Sequence, residues 1–358
     1  MLHVTHRCDL ACQHCFQTEE THPHEQMSRE QIAHLLDELA AAGVLFLTLT
    51  GGEPFLRRDL LDIVADARAR RFAVIIKTAG HHITAEKAQR LKQLGVHEVQ
   101  ISLYSHDPAV SDSFTQRRGS WQRTVNGLRL LRQAGVRTNV RAALTSFNHD
   151  HVRELKALAE SLGAEMQFGA GVDIRTNGDR SGLRFNVTAE QRARAAEEMG
   201  ATPENVMNNA EAICAGDGFS MSDRHLCSAA RDLVSISATG EVHPCMLHPR
   251  SGGNALSQGF RKVWEESSLL NDVRRITYGE MARTGCAGCG YQSSCKPCMA
   301  LAASENGDSR SCNTSSHLNA QATLLLARAR LPTPPGGWPE PAPPPHLRNG
   351  RGLLRVLS

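Results

Sequence analysis

The sequence predicts an α/β fold, a partial (β/α)6 TIM barrel followed by a small metal-organised domain. Three observations carry this prediction. Six short β-rich runs alternate with helical stretches as far as residue 169, and that alternation argues for parallel βαβ units. The helical stretches share an ending, "LAAAGV", "LKQLGV", "LRQAGV" and "LAESLGA", which puts Gly43, Gly95, Gly135 and Gly163 where a helix needs a left-handed C-cap before the next strand. Of the 11 cysteines, three lie between residues 8 and 15 and seven lie beyond residue 226.

Taken in order, the strands are expected at "LHVTH", "VLFLTLT", "FAVIIKT", "HEVQISLY", "VRTNVRAAL" and "AEMQFGA". Ser28, three residues before Gln31, opens the first helix as a capping box; Thr84 opens "TAEKAQRLKQLG" and Asn148 opens "NHDHVRELKALAESLG". The capping glycines are irregularly spaced, so they are repeated α/β grammar and not a solenoid. Six strands suit an open barrel, and sites in such folds lie at the C-terminal ends of the strands.

The expected organisation is a barrel over residues 1–185, a bridging helical segment over 186–226 that contains "TAEQRARAAEEM", and a cysteine-rich domain over 227–325. Residues 326–358 hold eight of the fifteen prolines and are expected to form a disordered or polyproline tail.

A chain of 358 residues can bury a substantial core. Its charge, 40 − 37 = +3, is spread without a long single-sign run, which points to no nucleic-acid track and no basic membrane face. No window approaches the roughly 18 apolar residues of a membrane span, and "MLHVTHRCDL" lacks the apolar region of a signal peptide. The expected compartment is the cytoplasm, where an odd number of cysteines argues for metal or redox chemistry over disulfides.

Cys8, Cys12 and Cys15 directly follow the first strand in "CDLACQHCF". A four-iron cluster has four irons, each wanting an outer ligand, and thiolate is the usual one. Three thiolates leave one iron open, as a catalytic metal site requires. The spacing C-x-x-x-C-x-x-C followed by an aromatic resembles the signature of the radical S-adenosylmethionine enzymes. The resemblance implies that S-adenosylmethionine chelates the open iron through its amino and carboxylate groups, with Phe16 near the adenine. The alternative, a zinc site with His14 as fourth ligand, crowds its ligands onto a short loop.

After the second strand comes Gly51-Gly52-Glu53-Pro54. Two glycines let backbone approach a ligand closely, and Glu53 can accept charge-assisted hydrogen bonds from an ammonium. The turn is similar to the family's motif for holding the cofactor's amino group. By the same resemblance Ser102, ending the fourth strand, would contact the ribose, and Arg141, on the fifth, would reach the cofactor carboxylate. "KTAGHHIT" resembles the family's T-N-G turn but has Ala79 at the Asn position, so an amide contact is missing there; His81 and His82 read as solvated loop residues.

Beyond the barrel, Cys227 and Cys245 flank Gly240, and Cys286, Cys289, Cys295 and Cys298 precede Cys312. A zinc ribbon separates its C-x-x-C pairs by about 15 to 20 residues; here five intervene. The order resembles the SPASM extension of radical enzymes, which carries two auxiliary four-iron clusters. Carried over residue by residue, one cluster would use Cys286, Cys289, Cys295 and Cys312. The other would use Cys227, Cys245 and Cys298, with Cys214 as the candidate fourth ligand. Three [4Fe-4S] clusters would then use every cysteine.

The resemblance implies reductive cleavage of S-adenosylmethionine to a 5′-deoxyadenosyl radical and hydrogen abstraction from a substrate. The expected substrate is a ribosomally made precursor peptide that receives a thioether, carbon–carbon or carbon–oxygen cross-link. Oxidation of a small molecule or tetrapyrrole is an alternative, as is anaerobic sulfatase maturation, which the two-residue gap between Cys295 and Cys298 disfavours. A non-enzymatic iron-sulfur electron carrier would need neither the "TGGEP" turn nor the α/β half. With seven residues before Cys8 there is no room for a fused peptide-recognition domain, so a separate leader-peptide recognition protein is expected. An electron donor such as flavodoxin or ferredoxin is expected as well.

Overall fold

The structure is a computed structural model, and it describes residues 1–17, 26–169, 171–175, 177–201, 223–333 and 338. Six parallel strands form the barrel wall: β1 (Leu2–Thr5), β2 (Phe46–Gly51), β3 (Ala73–Thr78), β4 (Glu98–Ser102), β5 (Thr138–Ala143) and β6 (Glu165–Gly169). They lie in the spatial order β6-β5-β4-β3-β2-β1. Each coincides with one of the six expected runs, β2 reaching one residue past its run to Gly51, because the alternation of apolar and polar residues along the chain marks a strand.

Alternation along each strand separates two interiors. Leu2, Val4, Leu47, Leu49, Val74, Ile76, Val99, Ile101 and Val140 point outward under the helices and are at most 2% exposed. Their neighbours of opposite parity, His3, Thr5, Thr48, Thr50, Lys77, Gln100, Ser102 and Arg141, line cavities inside the barrel or lie buried there. A lumen lined by polar groups is a binding space and not a packed core.

The barrel helices are α1 (Arg29–Ala41), α2 (Leu60–Ala69), α3 (Ala85–Gln93), α4 (Pro108–Thr115), α5 (Ser120–Gln133) and α6 (Val152–Ser161). Ser28 caps α1 in a complete capping box with Gln31, and Thr84 caps α3 through Lys87 N. Gly43, Gly95, Gly135 and Gly163 all have φ between 67° and 81°, the left-handed conformation a C-terminal cap requires. Asn148 departs from expectation. It does not cap a helix, and α6 starts four residues later. Its side chain instead accepts from Thr145 N at 2.8 Å and donates to Tyr104 O and Ala143 O, both at 2.9 Å, tying the ends of β4 and β5 together.

The C-terminal domain is not a separate body. Its short strands β7 (Ser235–Ile236) and β8 (Val242–His243) pair antiparallel, and β7 adds to the barrel sheet beside β1 through Leu2 and Ile236. The Met1 ammonium donates to Val234 O at 2.8 Å across this junction. Val242, Phe260, Val263, Leu270 and Met299 belong to the same buried apolar cluster as the barrel strands.

The bridging stretch contains α7 (Ala189–Glu198), whose Thr188 cap forms a capping box with Gln191. Against it packs the last described helix, α13 (Thr314–Arg330), through Ala189, Ala193, Ala322 and Leu326. That helix carries residues 326–330 of the stretch expected to be an unstructured tail. The buried face it shares with α7 decides the point, since a helix persists as long as it has apolar contact to bury. Among the described residues between α7 and α13 run five shorter helices, α8 (Ala255–Gln258), α9 (Phe260–Glu266), α10 (Ser268–Arg275), α11 (Tyr278–Arg283) and α12 (Met299–Asn306).

Candidate active site

The chain leaving β1 is held by the turn after β2. Gly52 N donates to Thr5 O at 3.0 Å and Glu53 N to Arg7 O at 2.8 Å, so parallel pairing continues past both strands toward Cys8. The glycines of this turn serve that approach. A Cβ on Gly51 would lie 2.1 Å from Thr5 O, and one on Gly52 would lie 2.4 Å from Arg7 O. What they admit is the backbone of the cysteine loop, while their other side faces a cavity.

Glu53 has a different occupation from the one expected. Its side chain is buried, and its carboxylate accepts from Thr78 Oγ1 at 2.7 and 2.8 Å, from Ala79 N at 2.8 Å and from Phe55 N at 3.0 Å. Burial pushes the acid up, against the pull of those donors. Neither Glu53 nor Pro54, which starts a buried 3-10 turn, lines the cavity. The Ala79 turn, lacking an amide side chain, is held by its backbone N–H on Glu53.

Cys8, Cys12 and Cys15 form a loop braced by α4. Ala11 N donates to Thr115 O at 3.3 Å, Gln13 N to Phe114 O at 3.0 Å, and Cys15 N to Cys12 O at 3.0 Å. The three sulfurs are close enough to act on one another. Burial, and then the neighbouring thiols, push Cys12 upward; partial burial takes Cys8, the most accessible of the three, to about 11, and burial also raises Cys15. Thiols raised in this way are held neutral until a metal replaces their protons.

Among the described residues no three Cys, His, Asp or Glu groups converge as a single metal ion would require. A four-iron cluster asks for no such convergence, since it spreads its thiolates over different irons. His14 is engaged elsewhere: its ring stacks on Phe114 and meets Tyr104 edge-on, each at 4.6 Å, and burial lowers it to about 4.

The cysteine loop borders a cavity of about 550 Å³ that also touches Phe16, Thr50, Gly51, Gly52, Thr78 and Ser102. Deeper in the barrel lies a second cavity of about 430 Å³, lined by Lys77, Gln100, Ser102 and Arg141. Ser102 and Arg141 are register partners on β4 and β5. Arg141 Nε is buried without a hydrogen-bond partner, and Lys77 is lowered by burial and then by Arg141. Two facing cations with an unfilled donor make a site for an anion such as a carboxylate, and the three-thiol loop beside them suits a cluster with one open iron. The residues present therefore fit both groups.

The His81 side chain is not solvated, whereas that of His82 remains 29% exposed. The His81 side chain is 1% exposed and its Nδ1 lies 3.9 Å from Asp9 Oδ2, while His82 Nε2 lies 3.2 Å from the same oxygen. Burial lowers His81 to about 4. Residues near the cavity that sequence reasoning passed over include Lys77, Tyr104 and Arg175. Lys77 had a signal, since its parity in "AVIIKT" places it inside the barrel; Arg175 lies in an irregular loop and had none.

The C-terminal cysteines separate into two neighbourhoods. Cys295 feels Cys286, Cys312 and Cys289, and burial raises Cys286 and Cys312 to about 12 each. Cys245 feels Cys298 and Cys227. Cys214 lies outside the described residues. A third cavity of about 350 Å³ has walls from this domain, among them Ser235, Glu241, His248 and Leu301. It shares His3, His6, Phe16, Gln17, Arg175 and Met246 with the cavity at the cysteine loop.

Comparison with known proteins agrees with this arrangement. A family model described as the Radical SAM superfamily matches residues 2–160, and one described as SPASM, an iron-sulfur cluster-binding domain, matches residues 227–299. The chain is 29% identical over 319 residues to the mycofactocin maturase MftC of Mycolicibacterium smegmatis, covering 83% of this chain and 76% of that protein. It is 24% identical over 326 residues to the AdoMet-dependent heme synthase of Methanosarcina barkeri, covering 85% and 92%. The fold matches that of Streptococcus suis SuiB bound to its precursor peptide SuiA with a TM-score of 0.69 at 16% identity, over 88% of this chain and 74% of that one.

Proposed function

Because this chain belongs to the radical SAM superfamily and continues into an iron-sulfur SPASM domain, we propose that it is a maturase that abstracts hydrogen from a ribosomally made precursor peptide and installs a side-chain cross-link. Membership brings S-adenosylmethionine and a [4Fe-4S] cluster with it. When bound, they supply a 5′-deoxyadenosyl radical by one-electron cleavage of the sulfonium. The protein's part is to hold, orient and exclude.

The observation that carries the peptide reading is the continuity of cavities. The cavity beside the C-terminal domain and the cavity at the cysteine loop share the walls His3, Phe16 and Met246, so a side chain entering the first can reach the second. In this reading Cys8, Cys12 and Cys15 hold the cofactor cluster, Phe16 flanks the adenine, and the Gly51–Gly52 backbone borders the methionyl end. Ser102 and Arg141 receive the polar groups, Arg141 the carboxylate. The two C-terminal neighbourhoods hold auxiliary clusters, with Cys214 completing the second, for a total of three. SuiB, bound to SuiA, supports a peptide as the substrate class. A separate leader-recognition protein, a low-potential electron donor and a cytoplasmic setting belong to the same proposal.

The AdoMet-dependent heme synthase relative favours a second reading, oxidation of a tetrapyrrole or another small molecule. Anaerobic incubation of the reconstituted protein with S-adenosylmethionine, reductant and candidate precursor peptides, read by mass spectrometry, separates the two. A peptide losing two hydrogens together with formation of 5′-deoxyadenosine supports maturation. Conversion of a porphyrin with every peptide unchanged replaces it.

A further inference from the structure

The loop between α4 and α5 carries Arg117 and Arg118, and the first turn of α5 carries Arg123; all three are exposed. Arg117 touches the cysteine loop, Arg118 follows it in the chain, and Arg123 stands in the first turn of the adjoining helix. Arg117 donates to Asp9 O at 2.8 Å and lies 4.0 Å from Asp9 Oδ2. Arg117 and Arg123 both act on His81, itself beside Asp9. Arg7 and Cys8, next in the chain, are exposed as well.

Arg117 has a structural bond to the cysteine loop, but helix stability does not account for Arg118 and Arg123. The N-terminus of a helix carries positive partial charge, and cations there oppose it. Helix α5 has no acidic residue in its first turn, and its cap is Gly119, which offers no side-chain acceptor. Two nearby acids are already engaged. Asp112 accepts from Ser120 Oγ at 2.9 Å and Trp121 N at 2.8 Å, and Asp9 lies between Arg117 and His82. Asp112 thus caps the N-terminus of α5 and Asp9 offsets Arg117, which leaves the exposed Arg118 and Arg123 as the source of positive charge on the face that carries Cys8, the most accessible of the three thiols.

We propose that this face, formed by Arg117, Arg118 and Arg123 beside Cys8, is the docking surface for an acidic electron-carrier protein. This rests on the reading that Cys8, Cys12 and Cys15 hold a cluster. The carrier is oxidised by one electron, and that electron enters the chain at this edge. Electron transfer weakens steeply with distance, so the exposed edge of the loop is where a donor must sit. Complementary charge then sets the encounter rate and the register.

The test uses the reconstituted holoenzyme, a recombinant acidic flavodoxin and the double variant Arg118→Glu/Arg123→Glu, which leaves Arg117 on the loop. Flavodoxin affinity is expected to fall at least about tenfold in the variant, and wild-type affinity to fall when salt rises from about 0.05 to 0.5 M. Formation of 5′-deoxyadenosine with dithionite, a small reductant needing no docking, stays within about twofold of wild type, while the flavodoxin-driven rate drops at least about tenfold. Equal flavodoxin affinity in both proteins, or no binding by the wild type, overturns the proposal. So does loss of affinity for an acidic precursor peptide with flavodoxin binding retained, which assigns the face to the substrate. Absence of 5′-deoxyadenosine with dithionite in the wild type counts against the radical reading, and the affinity comparison still decides the docking surface.

Discussion

The Thr78 hydroxyl lies 2.7 and 2.8 Å from the two carboxylate oxygens of Glu53, joining the end of β3 to the turn after β2 inside a space closed to solvent. With Ala79 N and Phe55 N on the same carboxylate, one buried acid organises the turn beside the cysteine loop, the start of a 3-10 turn and the end of a strand. It acts as a structural anchor whose failure would misplace the turn against which the chain to Cys8 is paired.

Glu53→Gln is accordingly expected to destabilise the fold. A carboxamide turns one acceptor into a donor, which must face Ala79 N–H or Phe55 N–H. A hydrogen bond to a charged group contributes roughly 1.5 to 3 kcal/mol, and the variant should lose about that much in denaturant unfolding. Thr78→Val should lose roughly 1 to 2 kcal/mol. Unfolding midpoints equal to wild type would show that the carboxylate is not the anchor.

Gly52→Ala should act on the cysteine loop without touching a cysteine. The added methyl would meet Arg7 O and His6 O at 2.4 and 2.6 Å, both backbone atoms that cannot rotate away. The cost of such overpacking is about 1 to 3 kcal/mol. Because the displaced chain leads directly into Cys8, iron per chain after reconstitution is expected to fall along with stability.

His3 supplies a pH dependence. Burial lowers its folded-state value to about 3 from 6.5. Between those values the unfolded chain binds the proton and the folded chain does not, so stability is full above 6.5 and declines as pH falls. At pH 5 the loss is about 2 kcal/mol, from 1.5 pH units at 1.36 kcal/mol each. His3→Gln keeps a partner for Gln17, 3.1 Å from the His3 ring. The difference between variant and wild type in thermal midpoint should therefore move in favour of the variant on going from pH 7.5 to pH 5.5.

The barrel was legible in the sequence because its determinants are local. Alternating apolar residues specify strands such as Ala73–Thr78, and a glycine such as Gly95, φ 67°, ends a helix wherever it occurs. Asn148 misled because an Asn before a helical pattern reads as a cap, whereas its partners, Tyr104 O and Ala143 O, come from strands the sequence cannot bring together. The same limit hid the burial of His81 and the addition of Ser235–Ile236 to the barrel sheet. Cysteine spacing was informative for the opposite reason: loop length limits which thiols can meet. The occupation of Glu53 was invisible because its donor Thr78 is 25 residues away.

Arg141→Gln tests the deeper cavity. The unpartnered Nε and the facing Lys77 are read as a seat for the cofactor carboxylate. Removing one cation from a charge-assisted contact should weaken S-adenosylmethionine binding by about tenfold or more, read by equilibrium titration of the reconstituted protein. Iron content should remain at the wild-type level. Unchanged affinity would move the carboxylate elsewhere.

One removable cluster is expected on the three-cysteine loop and two more in the C-terminal domain. The most direct measurement is iron and sulfide per chain after anaerobic reconstitution, for wild type and for Cys8, Cys12 and Cys15 changed together to Ala. About twelve irons falling to about eight is the expected result. About four falling to none would contradict it, leaving the C-terminal cysteines without clusters and the maturase reading without its auxiliary centres.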